Sequence, residues 1–295
     1  MNHKPHVSVI IPTYNRAAWL AEAMSSVRAQ TYTDYELIIA DDGSNDNTAQ
    51  VAAQWAGSEP GPAARYLRLA HSGRPAVARN RALARARGRL VAFLDDDDVW
   101  MPRKLERQVR HMRQNPDAGL VYGDVRFRRA DGSLSAPVLT RAQKRSGNLF
   151  SALLRDCFIF PSTVLVRRDL LQAAGGFDEE LRSAEDYGLW LRLAHAAPVA
   201  FQPEPHTIIR RHQDSFSHRH EQQIARDVIR VLDALPARLR LSPRQRLLLR
   251  RRRARARTHL ALLVGPSDRW SYVVEALRLN PLQIAAWRLW WRGRQ

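Results

Sequence analysis

The chain has 295 residues, of which 45% are hydrophobic and 26% charged, with 14 Gly and 16 Pro, and its 47 Lys+Arg against 29 Asp+Glu give +18. Composition and length fit one large α/β domain, or a catalytic domain with a small appendage, and exclude whole-chain disorder and fibrous or low-complexity architectures. The excess of positive charge alone brings polyanionic partners to mind.

Val7 to Ile11 is a short β-branched run stopped by turn chemistry at Pro12 to Asn15, which predicts a strand. Leu20, Ala23, Met24 and Val27 then recur at helical spacing between Ala17 and Gln30. Glu36 to Ala40 reads as a second strand closed by Asp41-Asp42-Gly43-Ser44, and Asp46 to Trp55 as a helix. Tyr66 to Leu69 follows as a strand, Ala76 to Arg87 as a helix, and Leu90 to Leu94 as a strand stopped by four aspartates. Strands alternating with helices predict an α/β fold, a mainly parallel sheet with helices on both faces. Ligands of such sheets bind beyond the carboxyl ends of the strands, where Thr13 to Arg16, Asp41 to Ser44 and Asp95 to Asp98 all fall.

Further on, Pro102 to Gln114 reads as a helix, Leu120 to Tyr122 as a strand, Phe158 to Val166 as an extended apolar segment broken by Pro161, and Asp186 to His195 as a largely buried helix. Beyond Arg219 only helical patterns remain, over Glu221 to Leu235, Pro243 to Val264, Trp270 to Leu279 and Pro281 to Trp291. A boundary near residue 220 divides a catalytic domain, 1–220, from a basic helical region, 221–295. Met1 to His6 is polar, the apolar run after it is too short for a signal-peptide core, and no stretch reaches the roughly 18 apolar residues of a membrane span. The single cysteine, Cys157, forms no intramolecular disulfide and, beside Phe158 to Phe160, reads as a small buried hydrophobe. A cytoplasmic location is the expectation.

Asp95-Asp96-Asp97-Asp98 directly follows the apolar run Val91 to Leu94. Adjacent carboxylates repel one another and persist in full solvent or around a cation. Their place in the ligand crevice favours the cation. Oxygen-only donors suit Mg²⁺ or Mn²⁺ bridging to a diphosphate better than Zn²⁺. Asp41 to Ser44 by itself reads as a turn and helix cap. Beside the acidic run, a carboxylate there can accept a hydrogen bond from a nucleotide base while Tyr14 packs against it, and Arg79 can meet ribose or phosphate.

Val7 to Arg16, Asp41 to Ser44, Ala78 to Leu83, Phe93 to Trp100 and Glu185-Asp186-Tyr187, five motifs in order over residues 5–215, together resemble the inverting family 2 glycosyltransferases of GT-A fold. The resemblance implies that Pro12, Tyr14 and Asp42 line the base pocket and that Arg79 helps hold the nucleotide. It makes the aspartate run the D-x-D motif, with Asp97 on a divalent metal and Asp95 or Asp96 near ribose and metal; four consecutive Asp admit more than one alignment. Glu185-Asp186 falls at the catalytic base, with Asp186 as the base and Glu185 its orienting partner, although a carboxylate pair also suits a helix start. His212 matches a family position where a His approaches the diphosphate or metal. The implied reaction is single-displacement transfer from a nucleoside diphosphate sugar, a UDP-sugar by expectation, to a glycan or lipid-linked hydroxyl, with the sugar read around Tyr122 to Asp124 and Phe160 to Thr163. The competing class is a non-catalytic binding protein on the same fold. The first turn lacks G-x-G-x-x-G and no Walker-type loop is present, which removes dinucleotide and P-loop readings.

From Pro236 onward, 15 Arg stand against Asp268 and Glu275, a net +13, leaving the body at +5. Leucines flank Arg250 to Arg253, and Trp287, Trp290 and Trp291 sit among Arg288, Arg292 and Arg294. Such interleaving suits a peripheral helix on an anionic membrane surface, or a helical cap with a solvated arginine face. Nucleic acid is disfavoured, since no zinc-ligand array or RNP-type motif is present.

Overall fold

The computed structural model describes residues 4–56, 63–129, 131–210 and 220–292. The first half runs β1 (Val7–Thr13), α1 (Ala17–Arg28), β2 (Tyr35–Asp41), α2 (Thr48–Ala56), β3 (Ala64–Arg68), α3 (Pro75–Leu83), β4 (Leu90–Phe93), β5 (Val99–Trp100) and α4 (Lys104–Gln114). After it come β6 (Leu120–Arg128), α5 (Phe150–Arg155), a 3₁₀ turn (Pro161–Thr163), β7 (Leu165–Arg167), α6 (Arg168–Ala173), α7 (Glu185–Ala196) and β8 (Val199–Arg210). Four helices close the chain: α8 (Glu221–Arg238), α9 (Pro243–Leu263), α10 (Pro266–Leu279) and α11 (Ile284–Arg292).

One eight-stranded sheet has the order β3-β2-β1-β4-β7-β6-β8-β5. The β3-β2-β1-β4 half is parallel throughout, as the alternating pattern predicts, and β6 pairs parallel with β8. Antiparallel pairings tie β7 to β4 and β6, and β5 to β8. Period-two alternation sends Ile10 of β1 to one face, with Phe93 and Trp190, and Val9 and Ile11 to the other, with Leu20 and Met24 of α1. The sheet is thus covered on both sides.

Sequence reading finds the long elements and misses the short or interrupted ones. β8 carries Pro203 and Pro205, which remove ladder donors, and the residues between Gln202 and Thr207 bulge where the β6 register jumps from Gly123 to Val125. The six-residue helices α5 and α6 are too short for a 3.6 period to declare itself.

The last four helices pack onto the rest. Leu232 and Leu235 of α8 and Leu249, Ala256 and Leu260 of α9 share the apolar cluster of Phe93 and Trp190. α9 opens with a capping box, Ser242 Oγ accepting from the Gln245 N–H while the Gln245 side chain accepts from the Ser242 N–H. Ala254 and Ala261 of α9, Val273 of α10 and Ala286 of α11 form a smaller satellite core. Among the described residues no helix is long and apolar enough to cross a membrane.

Candidate active site

The carboxyl ends of β1, β2 and β4 bring the predicted clusters to one edge. After β1, Asn15 adopts a left-handed backbone (φ 51°), and its N–H donates to Ser44 Oγ at 2.8 Å while its Oδ1 accepts from the Asn45 N–H. After β2, Asp41 and Asp42 divide the work. Asp41 Oδ1 accepts from the Ser44 N–H and hydroxyl, and Tyr66 donates to its Oδ2 at 2.5 Å, so Asp41 builds the turn. Asp42 Oδ1 accepts from the Ser72 N–H (2.9 Å) and hydroxyl (2.8 Å), and its Oδ2 from the Gly73 N–H (2.8 Å). Gly43 (φ 82°) lets that loop come close: a Cβ there would lie 3.0 Å from the His71 nitrogen. His71 in turn stacks on Tyr14 with centroids 4.2 Å apart, leaving Tyr14 41% exposed as a shelf for a flat ligand. Sequence reading places Tyr14 and Asp42 here; it misses His71 and Ser72, which no spacing rule connects to them. Pro12 is buried in β1, two residues before Tyr14.

The aspartate run is a tight turn, closed by the Asp98 N–H donating to the Asp95 carbonyl at 3.0 Å. It turns Asp95 and Asp97 outward, with side chains 29% and 19% exposed, and buries Asp96 and Asp98. This corrects the expectation that Asp96 faces the nucleotide: its carboxylate accepts from Thr13 Oγ1 (2.8 Å) and Arg16 Nη1 (3.0 Å), underneath the crevice. Burial pushes Asp96 up to about 6, with the Asp97 charge adding to it and Arg16 and Thr13 opposing. Asp98 accepts from Ser162 Oγ at 2.5 Å and is held well above the carboxylate range by burial and by Asp95 and Asp97. Ser162, in the segment expected to read the sugar, also accepts from the Asp95 N–H and so pins the turn. Tyr122 does not reach the crevice: it is buried, with its Oη on the carbonyls of Gln143 and Arg145. Arg16 bridges Asp96 and Asp97, at 3.0 and 2.8 Å, and stands over Trp19.

Arg79, buried on α3, links the acidic turn to Glu185, the neighbour of the predicted base. Its Nη2 meets Asp95 Oδ1 at 2.6 Å and its Nη1 meets Glu185 Oε1 at 2.5 Å. Ala184, in the left-handed region (φ 56°), starts α7 and sets Glu185 and Asp186 in its first turn. Asn15 and Ala184 are the non-glycine residues with positive φ among those described, and both stand at this site. Asp186 accepts from the Tyr187 N–H at 2.7 Å. Burial and the neighbouring Glu185 charge push it up to about 7, against the pull of Arg79. Asp227, fully buried on α8, accepts from the Arg182 and Ser183 N–H groups and the Ser183 hydroxyl, fixing the approach to α7. Sequence reading misses Asp227, because its partner loop lies some 45 residues away. Cys157 is exposed, not buried as its apolar neighbours suggest, because the chain turns outward after α5. His212 lies outside the described residues.

The donor set fits a divalent cation. Asp95 and Asp97 present carboxylate oxygens outward, and a Mg²⁺-like ion is commonly held by one or two carboxylates plus substrate phosphates. No group of three or more His, Cys, Asp or Glu able to form a protein-only cage occurs among the described residues.

A parallel βαβ edge ending in an acidic turn, with a carboxylate pair brought up from a later helix, defines an α/β fold of GT-A type. The family profile described as glycosyl transferase family 2 matches residues 8–175, and the chain belongs to that family. It is 35% identical over 190 residues, 63% of this chain and 69% of the other, to the Escherichia coli UDP-Glc:alpha-D-GlcNAc-diphosphoundecaprenol beta-1,3-glucosyltransferase WfgD. It is 34% identical over 200 residues (68% and 76%) to the putative teichuronic acid biosynthesis glycosyltransferase TuaG of Bacillus subtilis. An uncharacterized glycosyltransferase of Rickettsia felis is 33% identical over 192 residues, 65% of this chain but 31% of that much longer protein. Among solved structures, S. aureus TarS 1-349 with UDP superposes at TM-score 0.73 and 19% identity, covering 93% of this chain and 81% of the other. The Pyrobaculum calidifontis mannosyltransferase PcManGT with GDP-Man and Mn²⁺ gives 0.63 and 19%, covering 98% and 84%. At such identity these two show a shared fold.

Proposed function

We propose that the chain is a metal-dependent, inverting glycosyltransferase that moves a sugar from a nucleoside diphosphate donor, a UDP-sugar, to a hydroxyl of a glycan or lipid-linked acceptor in bacterial cell-surface polysaccharide synthesis. The observation that carries this reading is the Arg79 bridge, which sets the base-bearing turn of α7 against the outward carboxylates of the acidic turn. Tyr14 and the loop held by Asp42 receive the base, and Asp95 and Asp97 hold Mg²⁺ or Mn²⁺. The ion, when bound, stabilises charge developing on the departing diphosphate. Asp186 takes the proton of the attacking hydroxyl, and its raised pKa suits a base working near neutrality. Glu185, tied to Arg79, keeps that turn in place. Likeness to WfgD and TuaG supports the cell-surface setting, and the UDP and Mn²⁺ complexes of fold relatives support the donor and ion.

The same reading places the protein at the inner face of the plasma membrane through α11. Ile284 and Trp291 are 68% and 70% exposed there, beside exposed Arg288, and Leu282 in the turn just before the helix is 82% exposed. An apolar-aromatic helix face edged by arginine matches an anionic bilayer surface.

The donor assignment is tested by thermal shift with UDP and GDP, with and without Mn²⁺, since a ligand stabilises the folded state it binds. UDP with Mn²⁺ should raise Tm most. Asp97→Ala should lose the Mn²⁺-dependent part, whereas Asp42→Ala should weaken binding with or without the ion. Equal UDP affinity of wild type and Asp97→Ala in Mn²⁺ would overturn the metal assignment.

A further inference from the structure

Beside Asp186 lies a small polar cluster that the donor reading leaves without a role. Tyr187, the residue after the base, is 2% exposed, and its Oη makes no hydrogen bond of ordinary geometry. Arg252, half-buried on α9, stands beside that phenol, and its Nε is likewise buried without a partner. Among the described residues Arg252 has no carboxylate within 4 Å, unlike Arg253 and Arg257 of the same helix, which grip Asp233. Cys157, just beyond α5, lies within electrostatic range of both Asp186 and Arg252. α9 packs on α5, so the guanidinium is delivered to the base from the C-terminal helices and not from the loops that form the donor crevice.

The cations on the donor side are already committed: Arg16 to Asp96 and Asp97, Arg79 to Asp95 and Glu185. A half-buried guanidinium without a carboxylate, next to a buried phenol whose hydroxyl it approaches, is a fork for an anionic oxygen. Burying such a group unpaired is costly, which favours a ligand that completes it. We propose that Arg252, with the Tyr187 hydroxyl, binds a phosphate group of the acceptor, so that the acceptor is a phosphate-bearing lipid-linked sugar whose free hydroxyl meets Asp186. This rests on the reading of Asp186 as the base, and it names the acceptor class that the same site takes. The relative WfgD acts, by its description, on a diphosphate-linked sugar, which has this chemistry. The C-terminal helices thereby supply acceptor recognition as well as packing.

The test uses the full chain saturated with UDP and Mn²⁺, so that the donor crevice is filled, and titrates decyl phosphate, with neutral decyl maltoside as the control. Wild type should bind decyl phosphate and discriminate against the maltoside. Arg252→Gln should weaken decyl phosphate binding at least about tenfold while leaving the UDP-induced thermal shift intact. Arg255→Gln, exposed on the same helix, should bind as wild type does. If Arg252→Gln fails to fold, Arg252→Lys carries the test: a several-fold loss with UDP binding intact supports the assignment, and wild-type affinity overturns it. Equal affinity of Arg252→Gln and wild type, equal loss in Arg255→Gln, or no decyl phosphate binding by a wild type that binds UDP, each overturns the acceptor assignment alone. Failure of wild type to bind UDP would instead overturn the donor reading on which it rests.

Discussion

Arg79→Met is the substitution that separates the electrostatic account of the base from a purely structural one. Methionine keeps most of the length and apolar bulk of the buried arginine but removes the charge shared by Asp95 and Glu185 at 2.6 and 2.5 Å. Removing one partner of a buried pair costs about 3–5 kcal/mol, because the other charge is left uncompensated. At about 2–4 °C per kcal/mol for a chain of this class, Tm should fall by about 6–20 °C. Activity should change in a direction that destabilisation alone does not give. Asp186 stands at about 7 because burial and Glu185 push it up while Arg79 pulls it down, so losing Arg79 moves it further up. A nearby opposite charge shifts a carboxylate by about 1 to 3 units, and the low end applies to Arg79, whose direct contact is with Glu185. The base works deprotonated, so transfer is lost as pH falls through that value, and the acidic limb of kcat should move to higher pH by about 1 unit. At pH 7 about half of the wild-type base is free against about one-tenth in the variant, roughly a fivefold slower rate, converging near pH 9. The assay is UDP release at saturating donor and acceptor from pH 5.5 to 9.5, run well below the variant's Tm. An unmoved acidic limb in a folded Arg79→Met protein would refute the claim that Arg79 tunes Asp186.

Three further outcomes follow, two at the base and one at α11. Asp186→Asn keeps size and most hydrogen bonding but accepts no proton, so UDP binding should persist while transfer falls by about two to four orders of magnitude, as measured by product formation. Because the folded pKa of Asp186 is raised, its ionisation destabilises the native state increasingly as pH climbs from the unfolded value through about 7; Asp186→Asn should therefore raise Tm at pH 8 and leave it unchanged near pH 3. For α11, Ile284→Ser with Trp291→Ser removes two of its most exposed apolar side chains and should cut sedimentation with anionic vesicles several-fold without changing UDP binding. Unchanged vesicle binding in that double variant would dismiss the membrane role of this face.

What the sequence discloses follows from the range of the interactions involved. Strands such as β1 and β4 announce themselves by local β-branched runs, and the carboxylates at their ends sit where a parallel sheet must place its ligand. The clusters that hold Asp42 and Asp97 are therefore legible by position, whereas the choice of Asp97 within its run and of Asp186 at the start of α7 comes from the family resemblance. The facing of each aspartate is not, because a four-residue turn alternates its side chains and composition carries no register: Asp95 and Asp97 point out, Asp96 and Asp98 in. Partners from distant elements are equally hidden. Arg79 finds Glu185 across 106 residues, and Asp227 holds Ser183 across 44, contacts that arise only once α3, α7 and α8 pack.

The net +13 from Pro236 onward is likewise not one feature, and its parts have different physical consequences. Arg253 and Arg257 neutralise Asp233, and Arg257 also meets Glu275, at distances from 2.5 to 2.7 Å. Arg246 donates to the Leu241 carbonyl and Arg269 to that of Ala261, and Arg250 donates to the Leu279 carbonyl at the end of α10, where a cation complements the helix dipole. These arginines bind the helices together, so reversing Arg250 to Arg253 as a block would unfasten α9 and say little about lipid. Shortening the chain to Leu235 is no cleaner. It would take Leu241, Leu249 and Leu260 out of the core they share with Phe93 and Trp190, and at about 1.5–3 kcal/mol for each large apolar side chain the loss rivals the about 5–15 kcal/mol that holds a typical domain folded. Arginines tied into ion pairs or helix ends cannot report on a partner, which leaves the exposed face of α11 as the place to ask the membrane question and the half-buried Arg252, with no carboxylate within 4 Å among the described residues, as the place to ask about the acceptor.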